Sequence, residues 1–261
     1  MAIVQLHHAG RRSPKDLIGT QPVSAGTDDK MGARAMTTGE VEEMIEAFIS
    51  AAVRVERAGF NGVELHGAHD YVLCQFLNGE LNKRTDKYGG NLANRMRVLV
   101  EIIDGIRWNT GDDFNVSIRL SPERFGLKTS EMVQVYAALA AGGQLDFIDM
   151  SLWEIFKLGA DEDFADQRLI DIFANIDRGK TKLAVAGKLY TTTDAQRSVD
   201  AGADFVAIGR AAITNHDFPL KSQDPEFAMR ELPVPRAILR EEGLSDGFIG
   251  YMGNWPGFAG E

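Results

Sequence analysis

Short apolar runs alternate along the chain with longer stretches in which hydrophobic residues recur every three or four positions. The short runs fall near 2–7, 61–66, 114–120, 145–151, 182–187 and 204–208, and their length and composition predict strands. The longer stretches predict helices. "TTGEVEEMIEAFISAAVRVERAG" sets Val41, Met44, Ile45, Phe48, Ile49, Ala52 and Val53 on one helical face. Thr37 and Glu40 have the spacing of a capping box at its start, and Gly59 suits its end. Further helices are predicted over 91–108 (Leu92, Met96, Leu99, Ile103 and Ile106 inward), 129–141, 166–176 and 192–201. A strand-then-helix order repeated in this way predicts an α/β fold of parallel strands with helices outside. No linker or composition step divides residues 1–261, so one domain is expected, with 217–261 as a Pro-punctuated tail of short helical pieces.

Composition narrows the class. With 261 residues, 44% hydrophobic and 25% charged, the chain can bury one large core. A net charge of −10 without a Lys/Arg block argues against a surface that tracks nucleic-acid phosphates. No run of eighteen apolar residues predicts a membrane span. "MAIVQLHHAGRR" places its charges after the apolar stretch, the reverse of signal-peptide order. One cysteine, Cys74, excludes an intrachain disulfide framework and a Cys-ligated cluster, and a reducing cytoplasm is the expected compartment.

Polar residues gather where strands end: Gln5 and His8, His66, Arg119, Ser151, Gly187, Gly209 and Arg210. The C-terminal ends of parallel strands form the active face of a β/α barrel and the crevice of a doubly wound sheet. In "GVELHGAHDYVLCQFLN", alternation puts Glu64 and His66 on one side of the strand, Val63 and Leu65 on the other. His66 and His69 can both donate to one oxygen if the chain turns tightly after Gly67, and Tyr71 can then deliver a proton to a neighbouring carbon. A structural histidine pair fits the spacing equally well, whereas zinc lacks an obvious third ligand. Arg119, in "VSIRLS", faces the same way as Ser117 and Ser121 and needs an anion or electron-rich acceptor, or a buried ion pair with Glu64 or Asp149. "VAGKLYTT" and "VAIGRAAI" are each strand, glycine, basic residue, helix, the pattern of a phosphate cradle. No G-x-G-x-x-G follows a strand, so a Rossmann dinucleotide site has no support.

Assembled, these segments resemble the Old Yellow Enzyme family of FMN-dependent ene-reductases (NADH:flavin oxidoreductases). "GVELHGAHDYVLCQFL" with "NKRTDKYGGNLANRMR" carries most of the likeness; "QLHHAGR", "SIRLSP", "AGKLYTTTDAQ", "GADFVAIGR" and "GFIGYMGNWPG" follow the family order. The resemblance implies a TIM-type (β/α)8 barrel, here with about six of the eight strands, the first two missing. It implies FMN at the barrel mouth and NAD(P)H as reductant. Gln5 would meet the flavin pyrimidine edge, Arg119 the N1/C2 region, and Gly187, Lys188, Gly209 and Arg210 the phosphate. His66 and His69 would bind the oxygen of an α,β-unsaturated carbonyl or nitro compound, and Tyr71 would protonate the α-carbon. Asp70 stands where the family usually has glycine, and Ala93 where it is usually acidic. Six strands do not close a barrel, so a homo-oligomer or partner covering the open edge is expected. The alternative is a non-catalytic barrel remnant or assembly partner that binds flavin weakly or not at all. A phosphate-binding aldolase or lyase is disfavoured because Lys188 is the sole strand-end lysine.

Overall fold

The fold is seen in a computed structural model that describes residues 1–224, 227 and 229–260. Eight strands occur among them: β1 (Ile3–Leu6), β2 (Val23–Ser24), β3 (Arg34–Ala35), β4 (Gly62–Gly67), β5 (Asn115–Leu120), β6 (Phe147–Ser151), β7 (Lys182–Ala186) and β8 (Phe205–Val206). Six of these form one parallel sheet in the order β1-β4-β5-β6-β7-β8, and β2 with β3 makes a separate two-stranded ribbon. The six are those read from the sequence, five of them shortened by one or two residues at one or both ends and β4 shifted by one. Among the described residues β1 and β8 are the two edges of the sheet and do not pair with each other. The architecture is that of a partial TIM-type barrel.

The helices cover one face of the sheet. Thr38–Arg57 begins with the expected capping box: Glu40 N donates to Thr37 Oγ1 at 3.2 Å, and Thr37 N donates to a Glu40 carboxylate oxygen at 2.8 Å. Its buried stripe is Val41, Met44, Ile45, Phe48, Ile49 and Ala52. Leu92–Asn109 buries Val98, Leu99, Ile102, Ile103 and Ile106, while Leu92 and Met96 are only half-buried; Arg95 occupies the edge of that face, paired with Glu131. Thr129–Ala141, Leu169–Ala174 and Thr192–Asp200 follow in the expected places. One parity of each central strand packs under these helices: Val63 and Leu65, Val116 and Ile118, Ile148 and Met150, Leu183 and Val185 are all fully buried. The other parity carries the polar residues, a division that follows from the period of two along a strand.

The β2–β3 ribbon and one buried helix were not read from the sequence, whereas the C-terminal helices answer to the short helical pieces expected there. Val72–Leu77 is a helix whose six residues are all buried, so it has no amphipathic period to detect. Its entry is set by His69 (φ 59°) and Asp70 (φ 62°), both in the left-handed region. The C-terminal stretch holds Arg236–Glu241 and Asp246–Met252, and Val234, Leu239, Ile249, Met252 and Phe258 form a second small core there. Residues 225, 226, 228 and 261 of the expected tail lie outside the described residues.

Candidate active site

Parallel register decides which polar side chains meet. Gln5 pairs with Glu64, His66 with Arg119, and Arg119 with Asp149. Gln5 and Glu64 lie deeper along the strands, where Gln5 Nε2 donates to Glu64 Oε1 at 2.6 Å. Burial and the neighbouring Asp149 push the Glu64 carboxyl up to about 7, against the pull of Gln5 and Arg119. Arg119 Nε sits 3.3 Å from Asp149 Oδ2, so the buried ion pair weighed for this arginine exists. It is incomplete: Arg119 Nε and Asp149 Oδ1, both buried, have no hydrogen-bond partner among the described residues. Burial raises the Asp149 carboxyl, and Arg119 opposes the shift.

One step toward the strand ends, three histidines and a serine form a row. His66 Nδ1 faces His7 Nδ1 at 2.9 Å, His66 Nε2 faces His69 Nδ1 at 3.1 Å, and His69 Nε2 faces Ser151 Oγ at 2.7 Å. The left-handed turn after Gly67 brings His69 back over His66, and His69 N is held by Ser121 Oγ at 3.1 Å. Burial, the other histidines and Arg119 push His66 down to about 3; burial, Arg119 and Arg12 push His69 down to about 4. Both rings are therefore neutral at pH 7. Tyr71 packs edge-on to His7 (4.2 Å between centroids), lies 4.8 Å from His66, and carries the Arg12 guanidinium over its ring at 5.0 Å. Asp70 makes two bonds to Arg11 at 2.6 and 3.1 Å, and Arg11 also holds Asp28. Its charge is thus matched beside Tyr71.

His7 was missed in the sequence, where His8 stood in its place. The parity that aligns Gln5 with Glu64 also aligns His7 with His66, whereas His8 turns away and accepts from Gly10 N at 2.9 Å. Parity was the available signal.

A cavity of about 510 Å³ opens beside this row. His69, Arg119 and Ser151 line one end, Gly187, Lys188, Gly209 and Arg210 the other, with Trp153, Tyr190, Tyr251 and Trp255 among its walls. His66, Tyr71 and Gln5 do not line it; they stand behind His69 and Arg119. Gly187 has φ 152°, and a Cβ there would lie 2.8 Å from the Trp153 carbonyl carbon, so the close approach of the two loops requires glycine. Lys188 reaches Glu154 at 2.7 Å, and Arg210 lies 5.2 Å over the Tyr190 ring. Two cations and two glycines at one end, aromatic walls, and a half-buried guanidinium whose buried Nε–H lacks a hydrogen-bond partner among the described residues suit a planar, electron-rich ring bearing a phosphate.

The chain matches the NADH:flavin oxidoreductase / NADH oxidase family over residues 1–225. It belongs to that family. It is 31% identical to a probable NADH-dependent flavin oxidoreductase of Bacillus subtilis, over 85% of this chain and 63% of that protein. It is 33% identical to an NADH oxidase of Thermoanaerobacter brockii, over 85% of this chain and 36% of the relative. The structure superposes on morphinone reductase in complex with tetrahydroNAD with a TM-score of 0.72 and 30% identity, covering 91% of this chain and 69% of that one. An old yellow enzyme homologue from Zymomonas mobilis gives 0.73 and 25%, covering 87% and 68%. The chain therefore spans less than two thirds of the length of those two sequence relatives. FMN, with NAD(P)H as reductant, is the family's cofactor pair, and the cavity fits the flavin. No helix among the described residues is long and apolar enough to cross a membrane.

Proposed function

We propose that this chain carries the catalytic core of an FMN-dependent ene-reductase, which reduces the C=C bond of α,β-unsaturated carbonyl or nitro compounds at the expense of NAD(P)H. The observation that carries the reading is the convergence of His66 Nε2 and His69 Nδ1, 3.1 Å apart, beside Tyr71, with His69 lining the Arg119 end of the cavity. Bound FMN would supply hydride transfer between the nicotinamide and the substrate carbon. Gly187, Lys188, Gly209 and Arg210 would hold its phosphate, and Arg119 would place positive charge beside the ring.

The protein's own work is polarisation and proton delivery. An oxygen inserted between the two facing imidazole nitrogens replaces the His66–His69 hydrogen bond and accepts from both rings. Drawing electron density toward that oxygen makes the β-carbon electrophilic. Tyr71, packed against His66, would supply the proton to the α-carbon from its hydroxyl. NAD(P)H as donor and enones or nitroalkenes as acceptors are the expected small-molecule partners. Related proteins named as NADH:acrylate and NADH:fumarate oxidoreductases carry out reductions of this kind.

Visible absorbance of the purified protein with added FMN tests the reading. A bound-flavin spectrum bleached by NAD(P)H and restored by cyclohexenone is the expected result. The second reading, a remnant that binds flavin weakly or not at all, draws on the two unpaired sheet edges among the described residues. It predicts little or no bound FMN and no restoration of the flavin spectrum by cyclohexenone.

A further inference from the structure

We propose that Ser151 and His7 are positioning residues that set the tautomers of His69 and His66, and so decide how many N–H groups a bound oxygen meets. This rests on the reading above that the histidine pair holds a substrate oxygen. A neutral imidazole has one N–H and one bare nitrogen, so a ring bonded on both sides must donate on one and accept on the other. The row Ser151–His69–His66–His7 is bonded at every link, at 2.7, 3.1 and 2.9 Å. One end of such a row therefore dictates the rest.

The Ser151 end is set by where its hydroxyl hydrogen can go, with Arg119 a donor to one of the two lone pairs of its oxygen. Arg119 Nη2 lies 3.5 Å from Ser151 Oγ, and a guanidinium can only donate. Among the described residues, His69 Nε2 is the acceptor in reach of the Ser151 hydroxyl hydrogen. Ser151 accordingly donates to His69 Nε2, and the His69 proton sits on Nδ1. That N–H donates to His66 Nε2, which leaves the His66 proton on Nδ1, donating to His7 Nδ1. His7, exposed at the far end, carries its proton on Nε2.

In this resting row an oxygen seated between the rings meets one N–H, that of His69. A second requires a tautomer change at His66. His66 Nδ1 hands its proton to His7 Nδ1, His7 Nε2 releases one to water, and His66 Nε2 takes one from water. No proton is gained or lost overall. His7 Nδ1 turns from acceptor to donor, and its exposure gives the required exchange with solvent. Arg119 holds His69 ready, and His7 lets His66 follow the ligand.

Long-range ¹H–¹⁵N correlation of the full chain labelled with [¹⁵N]histidine reads each tautomer directly. Wild-type His69 and His66 are both expected as Nδ1–H forms. Ser151→Ala should shift His69 toward a mixture, and Ser151→Thr, which keeps the hydroxyl, should restore it. In FMN-loaded protein, saturating 4-nitrophenolate should convert His66 to Nε2–H. His7→Phe should weaken that ligand about tenfold, the effect of one hydrogen bond to a charged acceptor. His7→Asn, whose amide both donates and accepts, should bring the affinity back to near wild type. An Nε2–H His69 in the wild type, an unchanged His69 in Ser151→Ala, or wild-type affinity in His7→Phe would each overturn the proposal. If 4-nitrophenolate does not bind the wild type while the resting tautomers are as assigned, the substrate-oxygen reading fails and the control by Ser151 stands.

Discussion

At one end of the cavity, short side chains on strand ends hold one another; at the other, long cations reach in from loops. His66 is buried, each of its ring nitrogens has a partner, and register places it between Arg119 and His7. Lys188, by contrast, is 44% exposed on its side chain and tied to an equally exposed Glu154. Arg210 rests on the face of Tyr190, without a carboxylate partner among the described residues. Chemistry that depends on direction needs the rigid end, because a proton or hydrogen bond misplaced by an ångström loses most of its effect. Recognition of a phosphate tolerates the adaptable end, because Coulomb attraction varies slowly with distance and angle.

Substitutions at the two ends should therefore differ in kind as well as size. The largest effect is expected at Tyr71. Tyr71→Phe should slow reoxidation of the reduced flavin by an enone roughly 10²-fold or more, the scale of general acid catalysis, with reduction by NAD(P)H nearly unchanged; stopped-flow kinetics of the two half-reactions separates them. Equal losses in both would assign the residue to flavin binding and blur the contrast. Next comes Arg119→Met, which strands Asp149, whose side chain is 5% exposed. Urea unfolding should show a loss of roughly 2–3 kcal/mol, below the value for a fully buried pair because Arg119 keeps some exposure. FMN retention should fall with it.

The histidine row gives the rigid end a pH signature. His66 and His69 have folded-state values depressed from 6.5 to about 3 and about 4. Their contribution to stability is fully present above 6.5 and is lost as pH falls toward those values, since the unfolded chain takes up the protons first. Glu64, raised to about 7, acts in the opposite sense: its contribution is present below 4.5 and lost as pH rises toward 7. His7 and His8, also lowered by burial, act with the pair, and Asp149, raised by burial, acts with Glu64. With four groups against two, stability should decline from pH 6.5 to 4, and His66→Asn with His69→Asn should flatten or reverse the decline. A decline that persists unchanged in the double variant would place its origin elsewhere. The smallest effect is expected at Lys188→Ala, which should leave the unfolding midpoint alone while weakening FMN binding several-fold.

Much of this was legible in the sequence. Six strands and five longer helices follow from spacing, because period two and period 3.6 are written in neighbouring residues. His66 and Arg119 were legible as polar residues at strand ends, on the parity opposite the apolar residues. Val72–Leu77 was not, because burial on all sides erases the pattern that marks a helix. The change at Ala93 proved to be an exposed position on Leu92–Asn109. Asp70, conspicuous in sequence, became unremarkable once Arg11 was seen to match it.

What the sequence determined by itself was the class of the six sheet strands and the longer helices and the family to which the chain belongs, since both reside in local order and spacing. What only the tertiary structure decided was partnership: Gln5 with Glu64 and His7 with His66, each 59 residues apart, Lys188 with Glu154, and Arg119 shared between Asp149 and Ser151. Those pairs depend on which residues of neighbouring strands and loops stand side by side. Register is fixed by the packing of the whole sheet under its helices, not by any stretch of chain that can be read alone.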